Sequence, residues 1–401
     1  MFIVREIVDN LYYIGMQDRK ITLFENSIPL NQGVSYNSYL YKGDKNILLD
    51  TVEVDFLGGF MANIEAVLDG ESLDYVIVHH MEPDHSSSLK YILDKYPNAK
   101  VICTMMAQRF MRQFDANNAA DAAIIVKDNE EIELGGRKFR FYSAPNVHWP
   151  EVMFTYDIDN HVLFSADAFG SFHALNGNII DSEITYNDDV ITQYRRYYTN
   201  IVGKYGVNVL AALKKVENVE IDYICPLHYA VLKDNIGLMI KYYLKWASYT
   251  PESKSVMMVY ASAYGNTTDA CEFLANELGK KGVRDIKMYD VCRTPIQDLL
   301  AESFRVSDIV FASSTLNSNM FPQMLFYIEY LKDHNFKNRN AYLIENGTWA
   351  SLAAKKMNGL ISDMKDFRIS ENVVSIKSTA NNETLTALKE MADDIYNNLN
   401  K

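Results

Sequence analysis

Short apolar runs recur along the whole chain, but the elements between them differ in its two halves. Before the polar stretch around Pro251, runs such as Tyr75–Val78 and Val101–Thr104 alternate with turn-rich segments and predict short buried strands. Helices are predicted at Gly58–Leu68 and Asp234–Trp246. Meandering strands with interspersed helices predict a layered α/β sandwich.

After Pro251 the pattern becomes regular, with buried strands separated by helices, the first of which is predicted at Thr268–Gly279. The predicted strands are Ser255–Ser262, Asp285–Tyr289, Asp308–Ala312, Asn340–Ile344 and Val373–Ile376. Strands that alternate with helices in this way predict an open, parallel, doubly wound sheet. We therefore expect two domains, residues 1–250 and residues 251–401.

The composition narrows the class of protein. The 401 residues include 52 acidic and 39 basic side chains, for a net charge of −13, which argues against binding to a nucleic-acid backbone. The N-terminal residues lack a signal-peptide pattern, and no apolar run approaches the roughly 20 residues of a membrane helix. We expect a cytoplasmic protein without nucleic-acid or membrane partners. The four cysteines are scattered without a C-x-x-C pair, which argues against a thiolate metal site in one segment.

Four candidate metal ligands follow the predicted strand at Tyr75–Val78: His80, Glu82, Asp84 and His85. Alternation along an extended segment predicts that His80, Glu82 and Asp84 point to one side, and that Asp84 and His85 flank a second metal. So many ionisable groups would repel one another unless a cation held them. The alternative is a polar surface loop whose histidines are neighbours only by coincidence.

Further candidate ligands lie at the ends of other apolar runs, namely His148, Asp167 and His228. Strand ends that each deliver one donor predict the rim of a single site. Imidazoles and carboxylates without thiolate suit iron, manganese or zinc.

A second candidate site lies in the C-terminal half. Its first turn places hydroxyl and N–H groups at a predicted helix N-terminus, through Ser262, Tyr264, Gly265, Asn266 and Thr267. This turn lacks the lysine of a P-loop and the G-x-G-x-x-G pattern, and it therefore favours a monophosphate ligand over ATP or NAD. A plain capped helix is the alternative.

Two more loops are expected beside this turn. Their candidate residues are Ser314, Thr315 and Asn317 in one loop, and Asn346, Gly347, Thr348 and Trp349 in the other. Small polar side chains with one aromatic ring suit a flat heterocycle, which they hold by hydrogen bonds and stacking.

These motifs together resemble those of the flavodiiron proteins over essentially the whole chain. The resemblance rests on H-x-E-x-D-H at His80–His85, on His148 in HWP, on Asp167 in SADAFG and on His228 in CPLH. It implies an N-terminal metallo-β-lactamase-like αββα domain and a C-terminal flavodoxin-like domain that binds FMN.

The resemblance also implies the ligand assignment. His80, Glu82 and His148 would hold one iron, Asp84, His85 and His228 would hold the other, and Asp167 would bridge the two. The glutamate at position 82, where zinc hydrolases of this fold usually carry histidine, favours iron.

The implied activity is reduction of O2 to water, of NO to nitrous oxide, or of both gases, by electrons that pass from FMN to the diiron centre. The resemblance implies a head-to-tail homodimer and an external donor, rubredoxin or a reduced deazaflavin. The preferred gas, the donor and the assembly beyond a dimer are left open. The alternatives are a zinc-dependent hydrolase fused to a flavodoxin domain, and an electron carrier whose metal domain only docks partners.

Some positions depart from the family pattern or have no assigned role. No histidine precedes His79, and Phe24-Glu25 lies roughly where some members carry an extra histidine near the metals. His79 is expected to point away from His80 and to pack in the core. Tyr197 is the candidate catalytic residue, as a donor of a proton or hydrogen bond, with core packing as the alternative.

Overall fold

The computed structural model describes residues 3–114 and 117–401. Its contacts divide the chain into two compact units, Met1–Ala247 and Ser248–Lys401, here called the N-terminal and C-terminal units. In the part of the chain that is described, no helix is both long and apolar enough to cross a membrane.

The N-terminal unit contains short strands and helices. Its strands are β1 (Arg5–Val8), β2 (Leu11–Tyr13), β3 (Met16–Asp18), β4 (Leu23–Phe24), β5 (Ile28–Pro29), β6 (Val34–Tyr36), β7 (Tyr39–Tyr41), β8 (Ile47–Leu49), β9 (Tyr75–Ile77), β10 (Lys100–Cys103), β11 (Ile124–Ile125), β12 (Glu130–Leu134), β13 (Arg137–Ser143), β14 (Met153–Asp157), β15 (Val162–Phe164) and β16 (Tyr223–Cys225). Its helices are α1 (Leu57–Leu68), α2 (Pro83–Ser86), α3 (Leu89–Lys95), α4 (Met105–Gln113), α5 (Asn117–Asp121), α6 (Asp188–Tyr197), α7 (Gly206–Val216) and α8 (Ile236–Ala247).

Two mixed sheets form the core of this unit. The first has the order β1-β2-β7-β8-β9-β10-β11 and the second β12-β13-β14-β15-β16, while β3 pairs with β6 and β4 with β5. Rings from the two sheets meet edge to face, with Tyr41 of β7 against Phe139 of β13 and Phe164 of β15. This burial of large apolar surface stabilises the layered α/β sandwich that the sequence predicts.

Parallel pairing brings the ends of several strands to the same edge. Strands β8, β9 and β10 are parallel to one another, and β15 is parallel to β16. His80 follows β9, Asp167 follows β15 and His228 follows β16. Carboxyl ends of adjacent parallel strands share an edge, which explains how residues far apart in sequence reach one site.

The C-terminal unit contains one parallel sheet with helices between its strands. Its strands are β17 (Val256–Ala261), β18 (Ile286–Asp290), β19 (Asp308–Ser314), β20 (Arg339–Asn346), β21 (Phe367–Ile369) and β22 (Val374–Ile376). Its helices are α9 (Asn266–Lys280), α10 (Ile296–Arg305), α11 (Pro322–Asp333), α12 (Ala353–Ile361) and α13 (Asn382–Leu399). The order β18-β17-β19-β20-β21, with β22 also on β20, is the flavodoxin-like 2-1-3-4-5 order with its last position shared by two short strands.

The predicted elements agree with the structure apart from a few differences. The sequence pattern of Gln108–Asp115 also predicts a helix, which is observed as Met105–Gln113, and Asp115 lies outside the described residues. The pattern at 187–216 likewise predicts helix, and this segment forms two helices, α6 and α7, joined by the π turn Tyr198–Val202 and the 3₁₀ turn Gly203–Tyr205. Strand β21 was not predicted, because Arg368 interrupts the apolar residues of Phe367–Ile369.

A buried arginine fixes the first residues of the C-terminal unit. The guanidinium group of Arg339 is 2% exposed and donates hydrogen bonds to backbone carbonyls of Tyr249, Ser303 and Phe304 at 2.6 to 3.0 Å. It also bonds the carbonyls of Lys337 and Asn338. One side chain thus ties the start of the unit to the ends of α10 and β20.

We expect Arg339→Met to lower the free energy of unfolding of the C-terminal unit by about 3 kcal/mol, because several buried carbonyls would lose a charged donor. Urea denaturation followed by circular dichroism measures this. The control is Lys337→Met, which removes a cation 5.2 Å from the Tyr249 ring and should cost less than about 1 kcal/mol. Equal midpoints for the two variants would contradict the role of Arg339.

Candidate metal centre and phosphate-binding loops

One group of potential ligands consists of His80, Glu82, His148 and Asp167. The Nε2 atoms of His80 and His148 lie 3.2 and 3.0 Å from Glu82 Oε2. The same two nitrogens lie 3.3 and 3.1 Å from Asp167 Oδ2. Two imidazoles and two carboxylates therefore point at one volume.

A second group consists of Asp84, His85 and His228, all buried. The Nε2 atoms of His85 and His228 are 3.1 Å apart and lie 3.3 and 3.4 Å from Asp84 Oδ2. They also lie 3.2 and 3.7 Å from Asp167 Oδ1.

Asp167 joins the two groups through its two carboxylate oxygens. Oδ2 faces His80 and His148, whereas Oδ1 faces His85 and His228. The side chain is fully buried, and neither of its oxygens has a hydrogen-bond partner among the described residues. This is the geometry of a carboxylate between two cations.

The spacing of the donor atoms fits metal ions. With metal–donor bonds of about 2.1 Å, neighbouring donors around one ion lie about 3.0 Å apart in octahedral and about 3.4 Å apart in tetrahedral geometry. Both oxygens of Asp84 are also buried without a hydrogen-bond partner among the residues described. Such oxygens are costly to bury unless a cation is bound. The residues present therefore fit two metal ions.

The structure corrects one geometric prediction. Alternation predicted that His80, Glu82 and Asp84 would share one side, but Asp84 lies with His85 and His228 instead. The reason is that the extended chain ends at Glu82, and Pro83 begins the helical turn α2. Proline at the first helical position favours this change of direction.

The first group lowers the pKa of its two carboxyl groups and raises the pKa of its two imidazoles. Burial favours the neutral form of Glu82, but the bonds to His148 and His80 outweigh burial and lower the pKa of its carboxyl group. Burial lowers the pKa of His148, but Asp167 and Glu82 outweigh it and raise that pKa to about 9. Without metal, protons on the imidazoles therefore neutralise the carboxylates.

Two groups that the sequence analysis did not single out hold ligand rings from behind. Glu151 is fully buried, and its Oε1 lies 2.7 Å from His80 Nδ1 and accepts a bond from the Met81 backbone N–H. The carbonyl of Ser35 lies 2.7 Å from His228 Nδ1. Partners of this kind set the tautomer and orientation of a ligating histidine. HWPE was visible in the sequence, but only the fold shows that Glu151 reaches His80.

Tyr197, the predicted catalytic residue, lies beside the cluster. Its ring centroid lies 5.4 Å from that of His228. Its hydroxyl group is buried and has no hydrogen-bond partner within the described ranges. Burial, with Asp167 nearby, raises the pKa of this phenol well above its usual value, which keeps the group protonated. His173 contacts the Tyr229 ring at 6.2 Å rather than the cluster.

Glu25 was named in the sequence analysis only for its position, and it lies beside the cluster. It is at the tip of the β4–β5 hairpin, which is anchored by Phe24 against the His228 ring at 5.6 Å. Burial against the site, followed by the Glu82 carboxylate, raises the pKa of Glu25 to about 8.

The three predicted flavin loops follow adjacent parallel strands. Ser262–Thr267 follows β17 and enters α9, the loop with Ser314, Thr315 and Asn317 ends β19, and Asn346–Trp349 ends β20. The turn and the first of these loops meet, because Thr267 Oγ1 lies 2.9 Å from Ser314 Oγ. They lie at the carboxyl edge beside the β17–β19 switch point, where doubly wound sheets bind ligands.

Several predicted side chains shape these loops. Ser262 Oγ accepts bonds from the Gly265 and Thr267 N–H groups, so these donors converge on one point before α9. Thr315 Oγ1 accepts from Leu352 N–H, and the Asn346 side chain exchanges bonds with the Ser378 backbone.

The other predicted side chains of these loops differ in exposure. Tyr264 is 95% and Trp349 92% exposed, so both rings are open for stacking. Gly265 has φ +95°, a conformation that glycine adopts without strain.

Comparisons with known proteins agree with both parts of the chain. The model of the ODP family beta lactamase domain matches residues 34–228. The anaerobic nitric oxide reductase flavorubredoxin of Aliivibrio fischeri is 29% identical over 378 residues, which are 89% of this chain and 72% of that protein.

Two solved structures resemble the whole chain. The flavodiiron protein from Giardia intestinalis superposes with a TM-score of 0.92 at 25% identity, over 100% of this chain and 97% of that one. The rubredoxin oxygen:oxidoreductase of Desulfovibrio gigas has the same fold, with a TM-score of 0.92 at 24% identity over 99% and 98% of the two chains.

The fold and the clustered ligands thus define a two-unit α/β protein, in which a β-lactamase-type unit with a paired ligand cluster precedes a flavodoxin-like unit. The chain is similar to the flavodiiron proteins in fold and to the flavorubredoxins in sequence. The resemblance predicted from the sequence motifs is confirmed.

We expect iron binding to release protons and to tighten as the pH rises. In the iron-free protein the His148 pKa of about 9 keeps its ring protonated at neutral pH, whereas a metal needs the neutral ring. The affinity for Fe(II) should rise between pH 6.5 and 8.5, by up to about tenfold per pH unit for each proton displaced. Competition with a chelator under anaerobic conditions measures this.

The control is His161→Gln. This histidine pairs with Asp222 at 3.2 Å, away from the ligand cluster. The affinity of this variant should follow the same pH curve as the wild-type protein. An affinity that does not change with pH would show that the imidazoles are already neutral in the iron-free protein.

Proposed function

We propose that this protein reduces O2 to water, NO to nitrous oxide, or both gases, with electrons that pass from an external donor through FMN to a non-haem diiron centre. The observation that carries the proposal is the Asp167 carboxylate, which turns one oxygen to each of two buried ligand groups. Solved structures of flavodiiron proteins share its fold over the whole chain.

The ligand groups assign a position to each metal. His80, Glu82 and His148 would hold one iron, Asp84, His85 and His228 would hold the other, and Asp167 would bridge them. Two imidazoles and one carboxylate with open positions form the set that non-haem iron prefers. The relatives are oxidoreductases, which favours this function over the hydrolase alternative.

When bound, the flavin would supply electrons and the iron pair would supply the place where a small gas is reduced. The residues of this chain hold and orient the side chains that would bind the metals. Glu151 and the Ser35 carbonyl hold the imidazoles of His80 and His228 in place. Phe24 packs edge to face against the His228 ring. The protonated Tyr197 hydroxyl offers a hydrogen bond or a proton to a reacting gas.

The C-terminal unit supplies the flavin site. The N-terminus of α9 would bind the phosphate, as helix N-termini do for anions. The residues that would line the FMN site are Ser262, Tyr264, Gly265, Asn266, Thr267, Ser314, Thr315, Asn317, Asn346, Gly347, Thr348 and Trp349. We assign residues 1–250 to the diiron domain and 251–401 to the FMN domain.

The proposed function also requires a second subunit and an external electron donor. The flavin of one subunit would face the diiron centre of another in a head-to-tail homodimer, which stays a prediction. Rubredoxin or a reduced deazaflavin is the proposed external donor, and a cytoplasmic location is likewise proposed.

The test is consumption of O2 and of NO by anaerobically purified protein, assayed for iron and FMN, with reduced rubredoxin as the donor. We expect at least one gas to be consumed, and the ratio of rates gives the preference. If a sample replete in iron and flavin consumes neither gas, the reductase function is wrong. Two zinc ions with hydrolytic activity would instead establish the hydrolase.

We expect Asp167→Ala to lose iron and gas reduction while it keeps FMN, because the two ligand groups would lose their common carboxylate and the flavin loops would be untouched. Iron and FMN analysis of the same sample measures both effects. Asp222→Ala is the matched control, since this exposed carboxylate pairs with His161 and should not affect either cofactor. Full gas reduction by Asp167→Ala would refute the ligand assignment.

A further inference from the structure

We propose that Thr155 is a positioning residue that acts through His79 to hold the metal-binding strand end against the opposite sheet. A hydrogen-bonded chain of Asp50, His79 and Thr155 crosses the sandwich directly behind His80. The inference rests on the proposed function only in taking His80 as an iron ligand.

His79 makes contacts on both sides of its ring. Its backbone N–H donates to Asp50 Oδ1 at 2.8 Å, and its Nδ1 contacts Asp50 Oδ2. Its Nε2 lies 2.7 Å from Thr155 Oγ1. Asp50 follows β8 in the first sheet, whereas Thr155 lies in β14 of the second sheet. The ring therefore links the two sheets, and it is more than a core side chain that fills space.

Both ring nitrogens of His79 face a partner. Asp50 Oδ2 faces Nδ1, and the Thr155 hydroxyl, which can donate or accept, faces Nε2. Asp50, His79 and Thr155 are each 1% exposed or less. Because all three side chains are buried, water does not readily replace a lost partner. Removal of the Thr155 hydroxyl therefore leaves His79 Nε2 without a hydrogen bond.

This link is transmitted to the metal ligand because His79 and His80 are consecutive. Side chains of neighbours in an extended segment point in opposite directions. His79 points to Asp50 and Thr155, while His80 points to Glu151 and the ligand cluster. The His79 carbonyl also accepts a bond from Met153 N–H at 3.3 Å. A shift of His79 would therefore turn the His80 ring away from its metal.

The test is release of Fe(II) to an excess of a colorimetric chelator from the anaerobic, fully loaded protein. Thr155→Val keeps the size of the side chain and removes the hydroxyl. We expect one of the two irons, the one on the His80 side, to leave on the order of 10-fold faster, as changes behind metal ligands typically cause. The other iron should leave at the wild-type rate. Thr155→Ser, which restores the hydroxyl, should restore slow release.

Tyr41→Phe is the matched control for stability. It also removes one buried hydrogen bond between the two sheets, from Tyr41 of β7 to Oδ2 of Asp157, the last residue of β14, at 2.5 Å. We expect it to lower Tm about as much as Thr155→Val but to leave both release rates unchanged. This separates positioning of His80 from a general loss of stability.

The outcomes distinguish the inference from the proposed function. If the wild-type protein binds two irons and Thr155→Val releases both at wild-type rates, the inference is wrong. Faster release of both irons to the same extent, or no rescue by Thr155→Ser, would also overturn it. If the wild-type protein does not bind two irons, the proposed function fails. Amide exchange at Val78–His80 of iron-free protein then still tests the link, because Thr155→Val should accelerate it and Tyr41→Phe should not.

Discussion

Burial of three carboxylates within a few ångströms of one another is the constraint on which the N-terminal unit depends. Glu82, Asp84 and Asp167 would repel strongly at these distances away from bulk water, so the cluster needs positive charge. Protons on the imidazoles supply it in the iron-free protein, which explains the raised pKa of His148 and the lowered pKa of Glu82. Metal ions would supply it otherwise. The same charges that stabilise the fold therefore compete with the metal for the ligands.

The sandwich meets this constraint because its strand ends hold the ligands from outside the cluster. His80, Asp167 and His228 each follow a different strand, and parallel pairing fixes these ends at one edge. Behind the rings, the Nδ1 atoms of His80 and His228 lie at hydrogen-bond distance from Glu151 and the Ser35 carbonyl, respectively. Buried hydrogen bonds of this kind leave little freedom for rotation, so the donors are already at metal-binding distances before a metal binds.

The flavin loops follow a different physical principle. Their hydrogen bonds are among neutral groups, such as those of Ser262, Thr315 and Asn346, and these groups mostly hold the loops to one another. What they leave for a ligand is the N-terminus of α9 and the exposed rings of Tyr264 and Trp349. Such a site attracts a phosphate by the helix dipole and a flat ring by stacking, and it needs no buried charge.

The sequence predicted the candidate ligand cluster because four of its members are neighbours and three follow apolar runs, and strand periodicity predicted both fold classes. The residues alone, without the family resemblance, could not show which candidate ligands group together, since Asp84 changes sides only through the helical turn that begins at Pro83. Nor could it show the groups behind the ligands. Glu151 and Thr155 are 71 and 76 residues from their histidine partners, and they meet them only where strands from two sheets pack face to face. Local spacing carries information about chemistry, whereas the orientation of that chemistry depends on the packing of the sheets, which no local pattern encodes.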